Sequence, residues 1–249
     1  MNIQFATATH VGKRRKNNED TVFAAGYPDI DAAMLVVADG MGGAPVGEVA
    51  SHTAADQFTD VGAEGLGFDT ELFDDAVFAA LGKGFEQANA EILELVANHP
   101  EWAGMGTTLV VAWIRSRHAW IGNVGDSRAY LIRNGEIEQL TTDHSYVDEE
   151  IRAGRLASDE AGKSQYRHIL TRAVGTEQNV VLDLIGPRNL NEGDTLLICS
   201  DGLHGTVSDA DIAEIASGTD PAKATRALIK AANRSGGPDN VSAAIARIS

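Results

Sequence analysis

Two apolar runs limit what this chain can fold into more than any other feature: Ala33-Met-Leu-Val-Val-Ala38 and Thr195-Leu-Leu-Ile-Cys199. Both are short for a helix and neither has a polar face, so each reads as a strand buried on both sides. Each leads directly into an aspartate–glycine pair, Asp39-Gly40 in Asp39-Gly-Met-Gly-Gly43 and Asp201-Gly202 after Ser200. A buried strand needs cover on both faces, so the rest of the chain must supply sheet and helix around these two.

The remaining pattern supplies both. Ile3 to Val11 alternates loosely, and Thr21 to Ala25 is a short apolar run. From Thr107 the period is that of strands: Thr107 to Ile114, Ala119 to Val124 and Arg128 to Arg133, then an Asn134-Gly135 hairpin signal leading to Glu136–Leu140. Val241 to Ile248 is a last strand. Val46, Val49, Ala50, Thr53, Ala54 and Phe58 recur at helical spacing. So do Leu72, Phe73, Ala76, Val77, Ala80, Leu81, Phe85, Ala88, Ile92 and Val96, with Gly82 and Gly84 weakening the middle. Ser208 with Asp211, and Asp220 with Pro221, mark two helix starts near the end. Strands and helices come in blocks, which predicts antiparallel sheets with helices packed outside. Thr141 to His168 is polar, with a short helical pattern over Val147–Ile151, and reads as a surface excursion. No repeat or linker divides the chain, so residues 1–249 are expected to form one domain.

Composition narrows the partners. The 36 acidic and 20 basic residues give a net charge of −16, which repels nucleic-acid phosphates and anionic membranes. The single cysteine, Cys199, allows no internal disulfide and reads as a buried strand residue. No basic leader precedes an apolar stretch, and no window approaches the ~18 apolar residues of a membrane span. The expected location is the cytoplasm, and the default oligomeric state is a monomer.

The chemistry points to aspartates at strand ends: Asp39 and Asp201 after the apolar runs, Asp239 before Val241, and Asp20 closing Asn-Asn-Glu-Asp. Singly, each is ordinary turn chemistry. Gathered together, such carboxylates repel one another and need protons, basic groups or cations. Oxygen ligands without a Cys/His cluster favour Mg²⁺ or Mn²⁺, and glycine beside the ligand lets a carbonyl such as that of Gly40 join. Two ions sharing a carboxylate activate water for in-line attack at phosphorus. The basic stretch before Asp20 supplies an arginine for the phosphate. Other designs fail on spacing. The sixth residue after Cys199 is Gly205 rather than arginine, and Asp39 has no Asp two residues on. Gly125-Asp-Ser127-Arg-Ala129 lacks the final glycine of a serine-hydrolase elbow, and Gly12-Lys13 lacks the frame of a nucleotide loop. The seven histidines lack zinc-helix spacing and read mostly as surface or capping residues.

These residues resemble the metal-dependent protein phosphatase family of the protein phosphatase 2C type, in its small bacterial branch. The resemblance runs in order through Gly12-x-x-Arg15-x-x-Asn18-Glu19-Asp20, Asp39-Gly-Met-Gly-Gly43, Gly104-Met-Gly-Thr-Thr-Leu109 and Gly122-Asn-Val-Gly-Asp126-Ser-Arg-Ala-Tyr130. It continues through Leu140-Thr-Thr-Asp-His144, Leu170-Thr-Arg-Ala-Val-Gly175, Cys199-Ser-Asp201-Gly202 and Gly237-Pro-Asp239-Asn240. It implies an α+β fold, a four-layer α-β-β-α sandwich of two antiparallel sheets flanked by antiparallel helices. A flap over residues 145–168 lies beside the active cleft. It also implies that Asp39 bridges two Mn²⁺ or Mg²⁺ ions, that the Gly40 carbonyl binds the first, and that Asp201 and Asp239 hold the second. Glu19 and Asp20 act through metal-bound water, Arg15 grips the phosphate, and Asp126 with Asp201 forms a third metal site. The implied activity is hydrolysis of phosphoserine and phosphothreonine in proteins, opposing a bacterial Ser/Thr kinase. Two positions depart from the pattern. Some relatives have a histidine at the position of Met41, assigned as acid for the leaving group, and methionine cannot donate that proton. Ser164-Gln165 replaces a His-Pro pair. Two rival readings keep the same residues: a regulatory module that binds without turnover, and a two-metal enzyme acting on phosphodiesters.

Overall fold

The computed structural model describes residues 2–43, 46–59, 73–157, 160, 162, 164–218 and 220–249. In chain order the strands are β1 (Ile3–His10), β2 (Asp20–Tyr27), β3 (Ala32–Met41), β4 (Gly106–Thr107), β5 (Leu109–Arg115), β6 (His118–Val124), β7 (Arg128–Arg133), β8 (Glu136–Gln139), β9 (Asp183–Asn189), β10 (Thr195–Cys199) and β11 (Val241–Ile248). The helices are α1 (Val46–Asp56), α2 (Phe73–Asn98), α3 (Tyr146–Arg152), α4 (Asp201–His204), α5 (Asp209–Ala216) and α6 (Pro221–Arg234). One sheet has the order β1-β11-β10-β7-β8. The other has the order β2-β3-β5-β6-β9, with β4 paired to the end of β3. All the pairings are antiparallel.

Side-chain alternation along β3 shows why there are four layers. Leu35 and Val37 point between the sheets, where they join Val110, Ile121, Leu131, Leu196, Ile198 and Ala244. Met34 and Val36 point outward and pack with Val111 and Trp113 against Phe58, Val77, Leu81, Phe85 and Ile92 of the α1–α2 layer. On the far side, Tyr130, Leu197, Cys199 and Ile245 meet Ile212, Ala216, Leu228 and Ala232 of α5 and α6. Three apolar seams thus separate four layers, as the resemblance implies. At about 1.5–3 kcal/mol per fully buried large side chain, these seams dominate the stabilisation.

The helix starts near the end of the chain form as predicted. The Ser208 hydroxyl accepts from the Asp211 amide at 3.2 Å, and the Asp220 carboxylate accepts from the Lys223 amide at 3.0 Å with Pro221 next in line. Helix α2 runs unbroken through Gly82 and Gly84. At Gly84 a Cβ would lie 2.6 Å from the Phe58 ring, so its bare backbone is what lets α1 and α2 close over Phe58. Leu72, read as the first residue of this helix, lies outside the described residues.

Three readings need correction. Strand β3 does not stop at Asp39. It continues to Met41 because Gly40 and Met41 pair with Thr107 and Gly106. The run from Thr107 to Ile114 is broken at Thr108, whose amide donates to the Asp39 carbonyl at 2.9 Å while its hydroxyl accepts from the Asp39 amide at 3.0 Å. The sequence reading also has no strand between Leu140 and Thr195, yet β9 lies there and contains Gly186 and Pro187. Proline is tolerated because β9 is an edge strand with an irregular register against β6.

The excursion after Leu140 contains α3, one residue wider at each end than its predicted core. Ser145 caps it by accepting from the Asp148 amide at 3.1 Å, and a Ser145–Leu170 bridge closes the base of the segment. Among the described residues, no helix is long and apolar enough to cross a membrane.

Candidate active site

One end of the sandwich opens into a cleft of about 980 Å³ between the two sheets. Its walls include Arg15, Glu19, Asp39, Gly40, Asp126, Asp201 and Asp239. Topology explains the gathering. Asp20 opens β2 and stands opposite Asp39 on β3. Asp201 follows β10 at the start of α4, Asp239 precedes β11, and Asp126 sits in the turn from β6 to β7. The ends of both sheets therefore bring acids together from remote parts of the chain. Close backbone approach is essential here: a Cβ on Gly40 would fall 2.0 Å from the Gly47 carbonyl oxygen. Glycine lets the first turn of α1 seat against the end of β3.

Hydrogen bonds fix the site. Thr107 and Thr108 hold the Asp39 backbone. The Ser200 hydroxyl donates to Asp20 Oδ2 at 2.9 Å, and Asn240 Oδ1 accepts from the Glu19 amide at 2.8 Å. Asn240 also donates to the carbonyls of Val11 and Asn17, which pins the basic loop bearing Arg15 to the Asp239 turn. The Asp126 turn is held from two directions. His204 Nε2 donates to the Asp126 carbonyl at 3.0 Å, and His144 Nδ1 accepts from the Gly125 amide at 3.1 Å. His144 is thereby buried and structural, an exception among histidines that mostly lie at the surface. Its Nε2 lies 3.1 Å from Asp183 Oδ2, which sets the tautomer. Burial, the larger effect, lowers its pKa despite that carboxylate.

The electrostatics are those of too many acids in one place. Burial is the largest effect throughout, and neighbouring carboxylates add to it. Asp20 is pushed from 3.8 to about 7, with Asp201 and Asp239 contributing against the stabilising hydroxyls of Ser242 and Ser200. Asp126 is pushed up to about 8, with Asp201 and Asp143 contributing. Asp39 is raised well above the carboxylate range by burial and then by Asp20, Asp201, Asp126 and Asp239. Asp201 and Glu19 are raised as well. Asp20 Oδ1 and Asp201 Oδ1 are shut off from solvent without a hydrogen-bond donor among the described residues. Unpartnered buried carboxylate oxygens are costly, and a hard cation supplies the missing partner. No group of three or more His, Cys, Asp or Glu side chains among the described residues is close enough together to hold a metal ion as it stands. An open arrangement suits Mg²⁺ or Mn²⁺, which keep much of their water and take few carboxylates each. The residues present fit such ions.

Arg15 is placed at the cleft, with Nη2 2.8 Å from Asp239 Oδ2. Its side chain is 49% exposed, so this pair contributes within about 1 kcal/mol and yields readily to a phosphate dianion. Of the expected site residues, Arg15, Glu19, Asp39, Gly40, Asp126, Asp201 and Asp239 line this cleft, whereas Asp20 does not line it and is buried on β2, paired with Asp39. Sequence reasoning missed others: the supporting Ser200, Thr108 and Asn240, and the rim residues Arg167, His168 and Arg172. Ser200, Asn240 and Thr108 fall inside motifs that carry the resemblance, and Ser200 and Asn240 also sit beside aspartates already singled out. Arg167 and His168 close a polar stretch without periodicity and gave no signal, whereas Arg172 falls inside the Leu170–Gly175 motif of the resemblance.

Comparison with known proteins gives the family and the fold. The sequence model described as Protein phosphatase 2C matches residues 9–246. The chain is 34% identical over 247 residues to the serine/threonine protein phosphatase PstP of Mycobacterium tuberculosis, covering 99% of this chain and 45% of that protein. It therefore spans about half the length of this relative. It is 36% identical over 243 residues to the serine/threonine phosphatase stp of Listeria monocytogenes, covering 97% of this chain and 93% of that protein. The solved catalytic domain of PstP, in complex with two manganese ions, superposes with a TM-score of 0.85 at 33% identity, with 99% of both chains covered. With the four-layer fold, the acidic cleft and these relatives in agreement, the chain belongs to the protein phosphatase 2C family.

Proposed function

We propose that this domain hydrolyses phosphoserine and phosphothreonine monoesters in proteins, using Mn²⁺ or Mg²⁺. The observation that carries the reading is the convergence of Asp20, Asp39, Asp126 and Asp201, with raised pKa values and two orphaned oxygens, beside Arg15. Asp39 and the Gly40 carbonyl would hold one ion, Asp39 would also serve a second held by Asp201 and Asp239, Glu19 and Asp20 would stand beside them, and Asp126 with Asp201 would hold a third. Bound there, divalent cations supply charge neutralisation, polarisation of phosphoryl oxygens and a water made acidic enough to attack at neutral pH.

The chain's own groups do the rest. Arg15 exchanges Asp239 for the substrate phosphate and orients it, since a guanidinium fork matches phosphoryl oxygens. Ser200 holds Asp20 in position through its hydroxyl. Asn240 ties the arginine loop to the Asp239 turn, so phosphate and carboxylates keep a fixed relation. The cleft's rim, Arg167 to Ala173, contacts the protein around the phosphoresidue. Its substrates require a Ser/Thr kinase to supply them, and we place the domain opposite such a kinase, as a monomer in the cytoplasm.

The test is phosphate release from a phosphothreonine peptide and from a phosphodiester, each with Mn²⁺, Mg²⁺ or chelator. Cation-dependent release from the peptide in large excess over the diester is expected. Release that survives chelation, or a preference for the diester, contradicts the assignment.

A further inference from the structure

We propose that His168 is the acid that protonates the departing seryl or threonyl oxygen. The inference rests on the hydrolase reading above. Breaking an alkyl phosphate leaves a strongly basic alkoxide, and a proton donor at that oxygen lowers the barrier. The floor of the cleft offers none at Met41, whose methyl fills the space beside Gly106. The arginines of the cleft hold their protons too tightly to give them up, and its threonine hydroxyls are weak acids. Its aspartates and Glu19 are gathered where the cations would sit. Among the described residues that line the cleft, His168 is the one imidazole.

Three further observations single it out. The ring makes no hydrogen bond to a described residue, whereas His144 and His204 are committed to Gly125, Asp183 and Asp126. The backbone around it is anchored: the Tyr146 amide donates to the Ile169 carbonyl at 2.8 Å, and Leu170 bridges to Ser145. His168 is therefore held at the rim, one residue from a fixed point. His168, Arg15 and Asp201 all line the same cleft, so the imidazole and the phosphate-binding arginine share one cavity.

The oxygen of water bonds to phosphorus while the bond from phosphorus to the seryl or threonyl oxygen breaks. The electron pair stays on the departing oxygen, and the imidazolium proton neutralises it to the alcohol. The proton lost by the attacking water goes to solvent, from which the imidazole is recharged.

The experiment compares the parent domain with His168→Gln and His168→Ala, all loaded with Mn²⁺. Substrates are 4-nitrophenyl phosphate, phenyl phosphate and a phosphothreonine peptide, in order of increasingly basic leaving group. For the peptide, kcat is expected to fall on the order of 10²-fold or more, with KM within about threefold of the parent. The loss should shrink as the leaving group becomes more acidic, and added imidazole should restore part of the His168→Ala rate. Calorimetric titration should give the parent's Mn²⁺ affinity, which separates proton donation from support of Asp201. An equal loss on all three esters, a loss confined to KM, or a weakened Mn²⁺ affinity that accounts for the loss overturns the assignment. A parent inactive on every ester overturns the hydrolase reading and this inference with it. A parent that is active while the variants keep its dependence on leaving group overturns only the inference.

Discussion

Asp39 has the heaviest electrostatic burden of any residue in the cleft, with four aspartates raising its pKa on top of burial. Replacing it by asparagine keeps the shape and removes the shared charge. Asp39→Asn is expected to lose at least roughly 10²-fold in cation-dependent kcat, because the ligand common to both ions is gone. Near-parental turnover in that variant would remove the shared-ligand role. Arg15→Ala should act differently. The arginine meets the phosphate in ground and transition states alike, so KM should rise by about tenfold with a smaller change in kcat. A fall in kcat alone would place Arg15 elsewhere in the reaction. At this scale the aspartates were legible because a charged residue directly after a buried strand is conspicuous. His168 was not, since one histidine in a polar stretch looks like any surface residue until the fold brings it to the cleft. The Arg15–Asp239 pair was equally hidden, because its partners lie 224 positions apart.

Among the elements, α2 shows where a local rule loses to packing. Gly84→Ala gains about 1 kcal/mol in helix propensity. Its new methyl would meet the Phe58 ring at 2.6 Å, and that ring is fully buried edge-on against Phe85. Overpacking of this kind costs about 1–3 kcal/mol, so a net loss in denaturant midpoint is expected. A stabilised variant would show that the ring moves aside freely. The cap of α6 is a simpler case, and Asp220→Ala should cost about 0.5–2 kcal/mol with no effect on kcat. Elements with one strong period or a clear cap were readable: β7 and β11 match their predicted bounds. Strand β9 was unreadable because its glycine and proline argue against a strand, and only its edge position makes them acceptable. The extension of β3 past Asp39 depends on a two-residue partner from a distant loop, which no local pattern announces.

For the molecule as a whole, the acidic cleft makes stability depend on pH and metal together. Asp20 and Asp126 move from 3.8 in the unfolded chain to about 7 and about 8 in the fold. Between those values the folded state holds protons that the unfolded state has lost, so stability falls as pH rises through the window. Buried histidines work the other way. His204 moves from 6.5 down to about 4, so it adds stability with rising pH only up to about 6.5. From pH 6.5 to 8 the carboxylates act unopposed, and the thermal midpoint of the chelated protein should decline there. Saturating Mn²⁺ should flatten that decline by keeping the acids ionised in the fold. A midpoint that rises over this interval without metal would contradict the description of the cleft.

The layer order could be anticipated from two apolar runs and the family resemblance. The gathering of five aspartates and Glu19 could not be derived from spacing alone, since it depends on which strand ends share one end of the sandwich. The central claim is that these acids are held together by divalent cations, and binding itself tests it most directly. Calorimetric titration of the metal-free domain with Mn²⁺ at pH 7.5, beside Asp39→Asn, is the measurement. The account predicts about two ions taken up by the parent with proton release, and a large loss of affinity in the variant. No Mn²⁺ uptake by the parent, or equal uptake by both proteins, would contradict it.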